Sequence, residues 1–593
     1  MGLHDPQGGL QPPLDSPVRP ASKVAENSPQ DCPMSTHSDH LLDRPVVHAP
    51  LFAGSAAADQ ARLQAALMQG EASARAALVA TQGEFAIAMS DARDATTLLA
   101  VDRFSVRTLC YRVHNGQLLF AERADDLAEA NAALDPQAIF DYLFFHCIPS
   151  PRTIFKGVYR LPPGHYAWFE GGKLRVQPYW VPTFIEPTRP VSFDTLKGEF
   201  RLHLQQSVAR QMDCSVAACF LSGGTDSSTV AGMVGQVTGQ PAHTYSIGFQ
   251  AEGYDEMAFA RLAAAHFKTQ HHEYYVTPDD LVRSIPTVAR YYDQPFGNSS
   301  ALPAYYCAKF ARDNGVTRLL AGDGGDELFG GNSRYAKQRV FGWYGRIPNL
   351  LREGLMQPLI EGTPFGQLPG FSKARSYIEQ AKVPMPERLQ MYNLLLRLGL
   401  QDVLTADFLA QVNIGGPSEL QRQVWGQAST DSDLNRTLAY DWRFTLADSD
   451  LPKVRGTAHL AGVSVGFPFL DDALTTFSCR LPDDYKLKGL KLRWFFKEAL
   501  RGFLPDEILA KKKQGFGLPF GVWAMRHAPL KALAVASLHS LGQRGIVRPA
   551  FIKTLVEQRL PEHPGYFGEM VWVLMMLEQW LQGHQATARF TPA

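Results

Sequence analysis

The residues best equipped for chemistry sit in two glycine-rich loops. The first, FLSGGTDSST, runs from Phe220 to Thr229 and ends the apolar run Val216 to Leu221. Gly223 and Gly224 leave the backbone open to close approach, while Ser222, Ser227 and Ser228 add hydroxyl donors. A helix-like pattern opens at Asp226, so unpaired N–H groups and the positive end of a helix point at the same spot. A multi-oxygen anion fits such a cradle. Asp226 would repel that anion unless a divalent cation stood between them, which implies magnesium. The Gly-Lys-Ser/Thr ending of the common nucleotide loop is missing, so the residues alone leave open which phosphates are held.

The second loop, AGDGGDELFGGN from Ala321, crowds Asp323, Asp326 and Glu327 among Gly322, Gly324, Gly325, Gly330 and Gly331. Such a cluster costs folding energy unless something cationic binds it. Asp326 is the expected second magnesium ligand, facing Asp226 across a crevice.

The elements around these loops explain why they should meet. Strand-like VAACFL precedes the first loop and VTRLLAG precedes the second. Between them lie HTYSIGF (243–249), helical DEMAFARLAAAHF (255–267), HHEYYV and helical ALPAYYCAKFARDNG (301–315). Strands alternating with helices imply a parallel sheet, and ligands of such sheets bind beyond the strands' carboxyl ends, where both loops fall. Residues 46–185 read differently. GEFAIAMSD, TTLLAVDRF and QLLFAER alternate like antiparallel strands beside helical ARLQAALMQG. The Pro-rich VPTFIEPTRPVSF reads as a linker, and residues 1–45 as a disordered tail without apolar periodicity. The expected fold is thus α/β: a parallel-sheet domain over 186–593, preceded by a smaller α+β domain over 46–185.

Composition narrows the function classes. Lys+Arg and Asp+Glu both number 58, so no overall field draws the chain to nucleic acid or a membrane surface. Seven scattered cysteines without a Cys-x-x-Cys pair indicate buried free thiols in a reducing compartment. The start lacks a signal-peptide core and VWVLMML (571–577) is too short to span a bilayer, so a cytoplasmic protein is expected. His271-His272 reads as a satisfied pair, and the stripe Met570, Trp572, Val573, Met576, Leu577, Trp580 and Leu581 as core.

SGGTDSS, YSIGF, DQPFGNSSALP, LLAGDGGDELFGG, FPFLDD and KKKQGFGLP occur in the order seen in the asparagine synthetase family, which the chain resembles over roughly 80–590. The resemblance implies an ATP-pyrophosphatase domain whose Ser-Gly-Gly loop holds the two phosphates that leave together. It implies ATP as substrate, with Ser222, Gly223, Gly224, Asp226 and Ser227 on the pyrophosphate, and Asp226 and Asp326 on Mg2+. Ser246, Gly248 and Gly322 would wall the adenosine. Asp323 stands where relatives carry Glu, or Tyr in relatives making cyclic amides, and would handle the amine proton. Lys513 matches a lysine that stabilises charge at the reacting carbonyl and α phosphate, as a cation beside a developing oxyanion should.

The first half resembles the family's glutaminase segment, of the type with an N-terminal nucleophile, through LVATQGEFAIAMSDARDATTLLAVDRF and GVYRLPPGHY. The working enzyme uses an N-terminal cysteine; here Gly2 follows Met1, and the nearest cysteine, Cys32, precedes Pro33. A scaffold without glutaminase activity is expected. Ser464, Gly466 and Asn298 also depart from the family pattern, which predicts an altered acceptor pocket. The resulting expectation is an AMP-forming carbon–nitrogen ligase, in the first instance converting aspartate to asparagine. Its partners are a small carboxylate and a nitrogen donor, with ammonia free or supplied by a separate protein. The alternatives are a cyclase using the substrate's own amine, in lactam or lasso-peptide formation, and a non-catalytic scaffold.

Overall fold

A computed structural model describes residues 51–54, 59–91, 93–129, 132–187, 189–212, 216–345, 377–512 and 517–590. The expected tail over 1–45 and Lys513 lie outside the described residues.

The N-terminal half is built on β1 (Leu51–Gly54), helices α1 (Gln60–Met68) and α2 (Glu71–Ala80), then β2 (Phe85–Ser90), β3 (Thr97–Val101), β4 (Cys110–His114) and β5 (Gln117–Ala121). Helix α3 (Pro136–Phe145), β6 (Tyr159–Arg160), β7 (His165–Glu170) and β8 (Lys173–Pro178) complete it. One antiparallel sheet has the order β1-β2-β3-β7-β8 and a second the order β5-β4-β6. Period-two alternation sorts β2 between two cores: Phe85, Ile87 and Met89 face Leu63, Leu67 and Leu78 of the helices, while Ala86 and Ala88 face Tyr111, Leu118 and Phe120 of the second sheet. Asp102, at the end of β3, is almost fully buried. Its carboxylate accepts the amide N–H groups of Phe85, Phe104, Val106 and Arg107 and so pins the following turn.

The second part opens with α4 (Phe193–Gln211), β9 (Ala218–Phe220), α5 (Thr225–Thr238), β10 (His243–Phe249), α6 (Met257–Phe267) and β11 (Gln270–Val276). It continues with α7 (Pro278–Tyr291), α8 (Ala301–Asp313), β12 (Arg318–Leu320), α9 (Gly325–Phe329) and, much later, β13 (Ser464–Gly466). The sheet order is β11-β10-β9-β12-β13, with every pair parallel. Helix α5 packs with α4 and α6, and α8 with α7 and the helix Leu451–Leu460. The strands β9 and β12 lie side by side, and the loops that leave their carboxyl ends are therefore neighbours, as expected for an α/β crossover sheet.

The Pro-rich stretch after β8 is better anchored than a linker reading implies. Phe184 donates its N–H to Ser429 at 3.0 Å and packs its ring on Trp442. The C-terminal apolar stripe lies on the helix Pro564–His584, with Trp572 and Trp580 at most 1% exposed. The His271 ring lies 3.0 Å from the Thr244 hydroxyl and His272 stacks on Tyr245, so the pair packs within the sheet, but the buried Nε2 of His271 makes no hydrogen bond among the described residues. Among the described residues no helix is long and apolar enough to cross a membrane.

Candidate active site

A cavity of about 550 Å3 opens beyond the carboxyl ends of β9, β10 and β12. Of the residues singled out in the sequence, Ser222, Asp226, Ser227, Gly322, Asp323 and Asp326 line it. The first loop is held by its own hydroxyls: the Ser227 hydroxyl accepts the Ser222 N–H at 3.1 Å and lies 3.0 Å from the Ser222 hydroxyl. Ser222 itself is exposed to the cavity mouth, and α5 begins three residues later with its N–H groups at the same place.

Asp226 and Asp326 meet on a single guanidinium. Arg493 donates to Asp326 Oδ1 at 2.7 Å through one amino group and to Asp226 Oδ1 through the other, with a further bond to the Thr225 hydroxyl at 2.9 Å. Its side chain is 7% exposed and its flat face lies on the Phe496 ring, 4.1 Å away. Two glycines make this approach possible. A β-carbon on Gly331 would fall 1.7 Å from Asp326 Oδ1, and one on Gly325 would fall 2.6 Å from the Asp226 carboxyl carbon. The loops therefore deliver two carboxylates to one point and leave no room for other side chains there.

This arrangement tests the magnesium expectation. Two hard oxygen donors converge on one point, a donor set that suits a divalent cation once the Arg493 guanidinium that bridges them gives way or shares them. Among the described residues, no three His, Cys, Asp or Glu side chains form a ready cage. Magnesium needs none, because it binds through one or two carboxylates and completes its octahedron with phosphate oxygens and water. The residues fit the ion.

Deeper in the cavity Lys453 supplies the second cation, 2.8 Å from Asp450 and 4.0 Å from Asp323. Burial pulls its ammonium pKa down, but Asp450 and Asp323 more than offset this and raise it. Burial pushes the Asp323 carboxyl up to about 6, against the pull of Lys453. Burial likewise pushes Glu327 up to about 8, helped by Asp450 and Asp441. Asp323 is thus largely ionised at neutral pH and able to accept a proton, while Glu327 keeps its own. Tyr245, Ile247 and Met257 give the opposite wall an apolar face.

Several expected site residues are placed otherwise. Ser246 and Gly248 lie on the face of β10 opposite Tyr245 and Ile247 and do not line the cavity. The Ser246 hydroxyl bonds the Leu221 carbonyl, and a β-carbon on Gly248 would strike the Tyr275 ring at 2.5 Å. Gly223, at φ +67°, is glycine because a side chain would collide with the backbone of Phe259 and Ala260 at 2.4 Å, and neither it nor Gly224 lines the cavity. Ser464 is exposed at the start of β13, Gly466 is packed under Gln211 and Arg318, and neither lines the cavity. Asn298 does reach the site, donating to Asp450 at 3.4 Å.

Over residues 199–582 the chain matches the family model described as asparagine synthase. The chain belongs to the asparagine synthase family. Residues 63–180 match a glutamine amidotransferase domain. The chain is 25% identical over 449 residues to asparagine synthetase [glutamine-hydrolyzing] 1 of Bacillus subtilis, covering 74% of this chain and 68% of that protein. A provisionally named asparagine synthetase of Mycobacterium tuberculosis is 24% identical over 517 residues, 84% of this chain and 76% of its own length. A provisionally named asparagine synthetase 2 of Methanocaldococcus jannaschii is 31% identical over 278 residues, 46% of this chain and 53% of its own length. Asparagine synthase-type chemistry is ATP-dependent ligation, which accords with a cavity that pairs carboxylates with buried cations.

Arg493, Lys453 and Asp450 were invisible as site residues in the sequence. Only the spacing of Asp450 and Lys453, three apart on a helix, hinted at an ion pair.

Proposed function

We propose that the chain is an AMP-forming ligase that activates a carboxylate with ATP and transfers nitrogen to it, with aspartate as acceptor and ammonia as donor. The observation that carries this reading is the convergence of Asp226 and Asp326 on one cationic point beside the Ser222–Ser227 cradle. In this scheme Ser222, Ser227 and the N-terminus of α5 receive the β and γ phosphates. Asp226 and Asp326 hold magnesium, which when bound neutralises the charge of the departing pyrophosphate. Arg493 separates the two carboxylates before nucleotide enters.

The substrate carboxylate attacks the α phosphorus, and the bond to the bridging oxygen breaks with release of pyrophosphate. Nitrogen then attacks the acyl carbon, the carbon–oxygen bond to AMP breaks, and Asp323 takes the proton from nitrogen. Lys453 partly offsets the charge of Asp323 and Asp450, and the family resemblance assigns Lys513 to the charge developing at the carbonyl and α phosphate. ATP–pyrophosphate exchange measured against a panel of carboxylates tests the reading. Exchange dependent on aspartate is expected; exchange with no carboxylate refutes it.

The nitrogen is proposed to arrive as ammonia. Between residues 63 and 180 the cysteines are Cys110 and Cys147, both buried. Burial pushes the Cys110 thiol up to about 12 and that of Cys147 well above its usual range, so neither is a nucleophile. The purified chain is expected to release no glutamate from glutamine while forming amide with ammonium salts. Glutamate release above a heat-inactivated control would reverse this assignment.

A further inference from the structure

Two walls of the cavity are fastened to one short stretch of the N-terminal half. The Gly297 N–H donates to the His146 carbonyl at 2.8 Å, and a β-carbon on Gly297 would sit only 2.9 Å from the Tyr142 hydroxyl. Gly297 leads straight to Asn298 and to Ser300, which lines the cavity. Four residues beyond His146, Ser150 donates its N–H and its hydroxyl to Asp448 Oδ1, at 3.2 and 3.1 Å. Asp448 Oδ2 accepts from Arg443 Nε at 2.8 Å, and the same guanidinium donates to the Ser150 carbonyl. The Arg443 and Asp448 side chains are 11% and 6% exposed, and Phe145 stacks on Phe444 at 5.1 Å.

Arg443, Phe444 and Asp448 all belong to a π-helix, Trp442–Asp450, whose last residue is the partner of Lys453. A nine-residue π-helix is long for a geometry that commonly occurs as a single turn at functional sites. Residues two apart on a helix face nearly opposite ways, so Asp448 grips the N-terminal half while Asp450 faces the cavity.

We propose that the Ser150–Asp448–Arg443 clamp is a positioning device, which fixes the π-helix and through it the place of Asp450 and Lys453 against Asp323. This rests on the reading of the cavity as an amide-forming site. It gives the amidotransferase-type half a task that needs no glutamine.

The test uses full-length Asp448→Asn and Ser150→Ala with MgATP, aspartate and ammonium chloride. Asp448→Asn should slow amide formation about tenfold or more, since a displacement of about 1 Å in a reacting group can cost about 10²-fold. The dissociation constant for MgATP, measured by calorimetry, should stay within about twofold. In a Lys453→Met background the same substitution should cost less than about twofold, because the clamp acts through that lysine. Equal losses in both backgrounds, or a parallel loss of nucleotide affinity, would overturn the proposal. Amide hydrogen exchange over residues 446–458 provides an arm that needs no substrate. It should quicken in both variants, and unchanged exchange there also overturns the clamp. If the wild type forms no amide from these substrates, the proposed activity fails, and the clamp is judged on exchange and nucleotide affinity.

Discussion

Asp326→Asn is expected to lower aspartate-dependent ATP–pyrophosphate exchange by about 10²–10³-fold, the usual size for loss of one preorganised electrostatic partner. Asp226→Asn should do the same. Asparagine keeps the shape of the side chain, so the tight contacts that exclude a β-carbon at Gly325 and Gly331 survive. What is lost is negative charge at the one point where both loops converge. The fold should tolerate either change, because Arg493 keeps its remaining carboxylate and the Thr225 hydroxyl. Far-ultraviolet circular dichroism should match the wild type, while calorimetry shows weaker MgATP binding. Wild-type exchange rates in either variant would mean that these carboxylates do not serve the nucleotide, and the proposed chemistry would fall with them.

A contrast sharpens this expectation. Arg493→Met removes the cation and leaves two carboxylates facing each other, so it should destabilise the ligand-free protein more than either asparagine variant does. Breaking a buried pair by removing one partner costs roughly 3–5 kcal/mol. MgATP brings a replacement cation, so its thermal stabilisation of Arg493→Met should exceed that of the wild type.

The loops were legible in the sequence because each follows a buried apolar run that stops at glycines, a local pattern that survives without tertiary knowledge. The strands β9, β10 and β11 were legible for the same reason. Strand β13 was not, since three residues beginning with an exposed serine carry no periodicity. Nor was Arg493: it lies 267 residues from Asp226, and only the fold brings it there. The π-helix leaves no signature either, because Trp442–Asp450 reads as an ordinary helical stretch. The glycines and serines mislead in the opposite direction. Gly223 and Gly248 are small because Phe259, Ala260 and Tyr275 crowd them, and Ser246 serves a backbone carbonyl. At these two glycines packing alone already demands a small residue, whatever the backbone meets on its other side.

The energetic cost of the carboxylate cluster should be readable at Glu327. This side chain is 7% exposed, and burial, with Asp450 and Asp441 nearby, raises its pKa from 4.5 to about 8. A group whose folded pKa is raised binds its proton more tightly when folded. Its contribution is favourable at pH 4.5 and below, declines as pH rises, and is fully lost above about pH 8. At 1.36 kcal/mol per pKa unit the whole swing is roughly 4–5 kcal/mol. Glu327→Gln removes the titration and keeps the volume. Without nucleotide or divalent cation, the variant should therefore be more stable than the wild type at pH 9 and equal to it near pH 5. Denaturant midpoints across that range measure the difference. Asp323, raised to about 6, also loses its contribution with rising pH, but only below that value, so the residual slope of the variant should be confined to the acid side. Parallel stability curves for the two proteins from pH 5 to 9 would show that Glu327 is not held protonated, and that the cavity bears its carboxylates without strain.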